Sequence, residues 1–185
     1  MASFTKNAIK QSFIKLLNER PLSKISVRDI VEDCGINRNS FYYHYQDIPT
    51  LLCEIITEQA ERIAARYPTP DSLEECVGAC IDFALENRRA CLHIYNSTNR
   101  DFYEQSLDRL CTTLISAYFD KLFGRYMIDK DDRELLLRTL SAECFGVMVH
   151  WMMRGMNDDI KKDFARICEL RRGSVELMLK KCIKA

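Results

Sequence analysis

Along the whole chain apolar residues return at spacings of three and four, and no segment shows the sustained alternation of a half-buried strand. The pattern predicts an all-α protein of about nine helices. In the first, Ile9, Phe13, Leu16 and Leu17 share one stripe, and Arg20-Pro21 ends it, because a residue before proline is driven out of the helical region. Ser26 is placed to cap a short second helix, with Asp29 as the weaker partner of a capping box. Val27, Ile30, Val31 and Cys34 form its buried face. Gly35 stops that helix, Ile36 plugs the turn, and Asn37 caps a third helix that starts at Arg38. Two short helices joined by a Gly-containing turn are the helix-turn-helix arrangement.

The third helix, RNSFYYHY, carries its aromatics in an unusual place. Phe41 and Tyr45 fall inward with Ile36, which leaves Arg38, Asn39, Ser40, Tyr42, Tyr43 and His44 pointing outward. An outer face of rings is unfavourable in water unless something covers it, and DNA is a fitting cover. Asp47 caps a fourth helix with Pro49 in its first turn, where a missing N–H costs nothing. Its core stripe is Leu51, Leu52, Ile55, Ile56 and Ile63. The run RYPTPDS at 66–72 then breaks the helical pattern. Five further helices are expected, near 73–87, 90–97, 102–123, 131–154 and 159–182. The division expected is a helix-turn-helix module at 1–48 and a larger helical domain at 49–185.

Composition adds bounds. With 185 residues, 47% hydrophobic and 29% charged, the chain suits a globular protein with a real core. No stretch reaches the ~20 apolar residues of a membrane span, and the N-terminus lacks the apolar core of a secretory signal, so a cytoplasmic location is expected. Net charge is zero, but residues 1–50 hold seven Lys/Arg against five Asp/Glu, so this head is +2 and the remainder −2. A mildly basic head on an acidic body suits a DNA-binding module. The nine cysteines are scattered over helical patterns without a CxxC pair, which reads as reduced thiols acting as small hydrophobes, with no metal or other cofactor. Cys76 and Cys80, four apart, are the one hint of a redox- or metal-responsive site.

At residues 24–52 the run KISVRDIVEDCGINRNSFYYHYQDIPTLL resembles the DNA-binding region of the TetR family of transcriptional regulators. The likeness lies in the Ser-capped helix with DIV, the Gly-Ile-Asn turn, and SFYYHY followed by an acidic cap and LL. It covers about a quarter of the chain. Two departures stand out. Gln46 and Ile48 occupy positions where the family commonly carries Lys, as in YYHFKDKEAL, and Tyr45 stands for its usual Phe. Two expected basic contacts are therefore missing.

A DNA interface follows. Arg38 can pair bidentately with guanine and Asn39 with adenine if the start of the third helix enters the major groove, each worth about 1 to 3 kcal/mol of discrimination. Tyr42, Tyr43 and His44 suit phosphates or thymine methyls, while Asn37 and Ser40 stand at the same helix start. Ser26, Arg28 and Thr50 are candidate phosphate contacts at helix N-termini. One such helix reads few base pairs, so a homodimer on a palindromic double-stranded operator is expected. Its surface is sought on the last two helices: Leu140, Cys144, Val147, Met148 and Trp151 on one, then Phe164, Ile167 and Cys168 with Val175, Met178 and Leu179 on the other. A short GMNDD connection would let these two form a hairpin that pairs into a four-helix bundle. Such stripes also suit an intramolecular core.

The resemblance also implies an effector pocket in the larger domain, which would bind an unidentified small molecule that releases the protein from DNA. Candidate lining residues are His93, Tyr95, Phe102 and Tyr118, with His150, Trp151 and Met152. Of the rival classes, an enzyme is disfavoured, since the chain holds no Gly-rich phosphate loop, GxSxG or HExxH. The other rival is a TetR-like adaptor or co-activator that works through a protein partner with a weakened DNA grip. Gln46 and Ile48 favour it.

Overall fold

The computed structural model describes residues 2–67, 73–97, 100–123, 128–157 and 159–182. Among these, ten α-helices and one 3-10 turn account for the regular structure, and no strand occurs. The helices are α1 (Ala2–Glu19), α2 (Val27–Asp33), α3 (Arg38–His44), α4 (Ile48–Arg66) and α5 (Leu73–Glu86). They continue as α6 (Arg88–Tyr95), α7 (Arg100–Phe123), α8 (Lys130–Met153), α9 (Ile160–Leu170) and α10 (Ser174–Cys182). The 3-10 turn, Leu22–Lys24, brings Leu22 and Ile25 into the core between α1 and α2. Residues 68–72 of the expected break, and 98–99 of the loop after α6, lie outside the described residues.

One helix differs from expectation. The segment at 159–182 is two helices, because Gly173 adopts φ +80°, a left-handed conformation that glycine enters without a Cβ clash. Ser174 then opens α10. The two pieces take different neighbours: α9 packs on α5, whereas Leu179 of α10 is fully buried against Ile115 and Phe119 of α7. The long helix α8 packs chiefly along α7.

The N-terminal core gathers Ile9, Phe13 and Leu17 of α1, Ile30 of α2, Phe41 of α3 and Leu51 of α4, all almost wholly buried. It also takes in Ala90 of α6 and Tyr103 of α7, so the helix-turn-helix is seated on the rest of the protein. The seat is polar as well. His93 Nδ1 lies 2.8 Å from the Leu17 carbonyl, and Asn18 bonds both Asn87 and the Ala90 N–H. Further along, Arg88 donates to the carbonyls of Gly155 and Met156 and to Asn157 Oδ1. It thereby holds the turn after α8, in which Met156 sits at φ +54°.

Candidate nucleic-acid interface

Local chemistry builds the helix-turn-helix. At the start of α2 the Ser26 Oγ accepts from the Asp29 N–H at 3.3 Å, and the Ser26 N–H donates to the Asp29 carboxylate at 2.8 Å. This is a complete capping box. Hydrogen bonds from the Ser26 hydroxyl and backbone, with Arg20 beside them, hold the Asp29 carboxyl at about 2. At the other end Gly35 takes φ +70°, and the Ile36 N–H reaches back to the Val31 carbonyl at 3.0 Å. That bond closes a Schellman turn and satisfies a carbonyl that α2 leaves open. Asn37 Oδ1 then accepts from the Ser40 N–H at 2.8 Å and from the Ser40 hydroxyl at 3.1 Å, which starts α3.

The base of α3 is fixed by two rings. Phe41 and Tyr45 are buried, and the Tyr45 hydroxyl donates to Glu54 of α4 at 2.9 Å. Lys6 and Lys10 of α1 close on the same carboxylate at 3.0 and 2.7 Å. Burial works to raise the Glu54 pKa, but the hydrogen bonds from Lys10, Lys6 and Tyr45 outweigh it and hold the group at about 2. Burial, then the Glu54 charge, push the Tyr45 phenol far above its ordinary range. Sequence reading placed Tyr45 inward but missed this knot. Tyr45 lies nine positions from Glu54 and Lys6 forty-eight, beyond any local spacing rule.

The outward edge of α3 is open. Arg38, Asn39, Tyr42 and Tyr43 are exposed, Tyr43 at 82%. Tyr42 stands edge-on against Phe41, and His44 is half-buried with its ring edge-on to Tyr43 at 4.9 Å. Ser26, Arg28, Asn37 and Thr50 are exposed at helix starts, and Ser40 is half-buried. Several are already engaged. Ser26, Asn37 and Ser40 serve the caps, the Thr50 N–H donates to Asp47 at 2.8 Å, and Arg28 pairs with Glu32 at 2.6 Å.

Charge pairing across this module is extensive. Of the seven Lys and Arg in residues 1–50, Lys6, Lys10, Lys15, Arg20 and Arg28 each face a carboxylate. Among the described residues, the remaining two, Lys24 and Arg38, have no ion-pair partner. Nothing in its local spacing marks Lys24; its distinction is only that no acid among the described residues reaches it.

Behind the module lies a cavity of about 200 Å³. Its wall is mostly aliphatic, and it includes Ile14 and Leu17 of α1 and Ile55 and Ile56 of α4 as well as residues of α5 to α8. Tyr95, Trp151 and Met152 stand in this wall. The Tyr95 Oη and Trp151 Nε1 are buried without a hydrogen-bond partner among the described residues. Arg100 lies over the Tyr95 ring at 4.2 Å and pairs with Glu104 at 2.6 Å. The remaining pocket candidates sit elsewhere. His93 is turned to α1, Tyr118 donates to the Tyr67 carbonyl in a separate cluster, and His150 is exposed. The side chain of Phe102 lies outside the described residues.

The residues considered for a dimer surface also divide. Trp151 and Leu179 are buried within the single chain, while Leu140, Cys144, Met148, Phe164 and Cys168 are half-buried. Val147, Ile167 and Met178 are exposed, and so are Leu170 and Leu177, which were not among the candidates. The Val175 side chain lies outside the described residues. Among the described residues no helix is long and apolar enough to cross a membrane, and no group of three or more His, Cys, Asp or Glu is arranged to hold a metal ion.

Comparison with known proteins agrees with this geometry. The family model of bacterial regulatory proteins of the tetR family matches residues 14–55, and that of a transcriptional regulator C-terminal region matches residues 71–173. No curated protein matches the sequence. Among solved structures, the dihydroxyacetone kinase operon activator DhaS is similar, with a TM-score of 0.71, 17% identity and 96% of each chain covered. A TetR transcriptional regulator from Rhodococcus sp. RHA1 follows with a TM-score of 0.59 and 13% identity over 92% of this chain and 97% of that one. NalD, the secondary repressor of the MexAB-OprM multidrug efflux pump in Pseudomonas aeruginosa, gives 0.55 and 18% over 91% and 95%. At these identities the structures share the fold. With both halves matched, and the second match alone spanning more than half of its length, the chain belongs to the TetR family of transcriptional regulators.

Proposed function

We propose that this regulator binds a palindromic operator as a cytoplasmic homodimer, with residues 1–48 reading DNA and residues 49–185 dimerising and sensing a small effector. The observation that carries the reading is the outward edge of α3, whose Arg38, Asn39, Tyr42 and Tyr43 project from a helix pinned beneath by Phe41 and Tyr45. Arg38 at the first position of α3 is the base-reading residue, since guanine O6 and N7 accept its two parallel donors. Asn39 reads adenine in the same way. Tyr42, Tyr43 and His44 pack on the sugar–phosphate backbone, and Ser26, Arg28 and Thr50 bring two helix N-termini to phosphates.

The effector is a largely apolar small molecule carrying a hydrogen-bond acceptor. The aliphatic wall favours the former, and the unpartnered Tyr95 and Trp151 donors favour the latter. A ligand there touches α1 of the reading module, and α4 that directly follows it, so differential binding to two seatings of that module supplies the release mechanism. Exposed Val147, Ile167, Leu170 and Leu177 support dimerisation through the outer faces of α8 to α10. Sedimentation at micromolar concentration should give a dimer; a monomer removes this part of the reading.

The pairing of five cations favours a second reading, an adaptor with a weakened DNA grip that acts through a protein partner. Exposed pairs such as Arg28–Glu32 exchange easily for phosphate, so the operator reading keeps precedence. A salt series of gel shifts on DNA upstream of the gene separates the two. An operator-binding dimer gives a steep slope that scales with its phosphate contacts, and an adaptor gives little binding at any salt. In the first case Arg38→Ala should cost about 1 to 3 kcal/mol and relax preference at one base pair per half-site. Unchanged affinity and preference would remove Arg38 from the site.

A further inference from the structure

The cavity wall holds two buried donors that no acceptor among the described residues meets: the Tyr95 hydroxyl, at the end of α6, and the Trp151 indole N–H, near the end of α8. Both side chains are more than nine-tenths buried. A buried donor without an acceptor is destabilising, so an occupant that supplies one is favoured there. The charges of the wall, by contrast, are already matched. Arg100 lies over the Tyr95 ring at 4.2 Å and pairs with Glu104 at 2.6 Å. The ring face that would attract a cation is covered, and the guanidinium that would attract an anion is met. Burial pushes the Cys91 thiol up to about 11. Burial, then the charges of Cys53 and Asp47, push the Tyr103 phenol up to about 12. Both residues line the cavity, whose wall thus resists charge.

We infer that the cavity takes an uncharged, apolar carbonyl compound of about eight non-hydrogen atoms, whose oxygen accepts from Tyr95 and Trp151. This rests on the effector reading above and narrows it to one chemical class. The size follows from volume: an apolar cavity of about 150 Å³ takes benzene, and this one measures about 200 Å³. The carbonyl follows from the donors. Its oxygen has two lone pairs and brings no donor of its own to be met. A carboxylate would accept the same bonds, but it would lose its hydration against an aliphatic wall with no unpaired cation. An alkylammonium would meet the same penalty, and its three donors would face donors.

Such an occupant ties the end of α6 to the end of α8, in a cavity that Ile14 and Leu17 of α1 also wall. Its arrival changes the hydrogen bonding of the Trp151 indole. Trp151 is the only tryptophan in the chain, so its emission reports occupancy directly.

The test titrates the full-length protein at neutral pH with three compounds matched in size: 2-heptanone, hexanoate and heptylammonium. The expected result is a saturable shift of Trp151 emission with the ketone, at an affinity at least about tenfold above that for either ion. Tyr95→Phe should weaken the ketone by about fivefold, and Trp151→Phe, followed by calorimetry, by a similar factor. Either ion binding as tightly as the ketone, or no saturable binding of 2-heptanone, would overturn the proposal. So would ketone affinity that both variants leave unchanged. The ranking of the three compounds on the wild-type protein decides the matter even if a variant folds poorly. None of these readouts involves DNA, so their failure is distinct from a failure of operator binding or of release.

Discussion

The reading module and the larger domain behind it satisfy their polar groups in different ways. In the module and the helix that follows it, α2, α3 and α4 each begin at a residue whose side chain accepts a backbone N–H, and Glu54 of α4 gathers two lysines and a phenol under α3. Behind it, Asp129 and Asp159 cap α8 and α9 in the same way, but α6 starts at Asn87 without a side-chain cap bond, and four of the five unpartnered buried polar side-chain atoms among the described residues lie there, on Tyr95, Ser97, Ser141 and Trp151. The module is thus built to present one edge in one geometry. The other region keeps open space and unmet donors, which is what a site for an exchangeable occupant requires.

That contrast can be broken by substitution. Phe41→Ala, in the packed base of α3, should be the most damaging change, at about 3 to 5 kcal/mol of stability in a thermal or urea melt. A loss below 1 kcal/mol would mean that the module is not tightly packed. Next comes the ionic knot. Glu54→Gln should cost about 1.5 to 3 kcal/mol, because it weakens charged hydrogen bonds to Lys6, Lys10 and Tyr45 together. The same group sets an acid limit. Its folded pKa of about 2 lies below the ordinary 4.5, so its contribution is complete above pH 4.5 and is lost as pH falls from there toward 2. A melt series over that range should show wild type falling toward Glu54→Gln; parallel curves would remove Glu54 from the account. Ser26→Ala should cost about 1 kcal/mol by opening the capping box. The smallest effect belongs to the cavity. Tyr95→Phe removes a hydroxyl that has no partner among the described residues, so stability should stay unchanged or rise slightly. A clear loss would show that this hydroxyl is bonded in solution and that the two regions are more alike than described.

The same difference explains what could be read from the sequence. Caps are local: Ser26 with Asp29, Asn37 with Ser40 and Asp47 with Thr50 are each three residues apart, so their spacing announces them. The inward turn of Phe41 and Tyr45 follows from helical period alone. The cavity wall does not, because it depends on how helices distant in sequence meet. Tyr95, Trp151 and Met152 face it, whereas His93 and His150, of similar chemistry, turn to α1 and to solvent. The share of α1 in that wall has no local signal at all. Nor does the pairing of Lys15 with Asp33 across eighteen positions, which removes a cation that the charge tally counts as available. The division of the last segment into α9 and α10 was legible, since Arg-Arg-Gly-Ser holds both a stop and a start, and the continuing apolar stripe obscured it.

Ile14 and Leu17 belong at once to the packing of α1 in the reading module and to the wall of the cavity. Genetics on this protein will therefore not sort cleanly into two classes. Under the proposed function, screens for alleles that ignore the effector and for alleles that have lost the operator will converge on these two codons, and a single change at either will alter both phenotypes together.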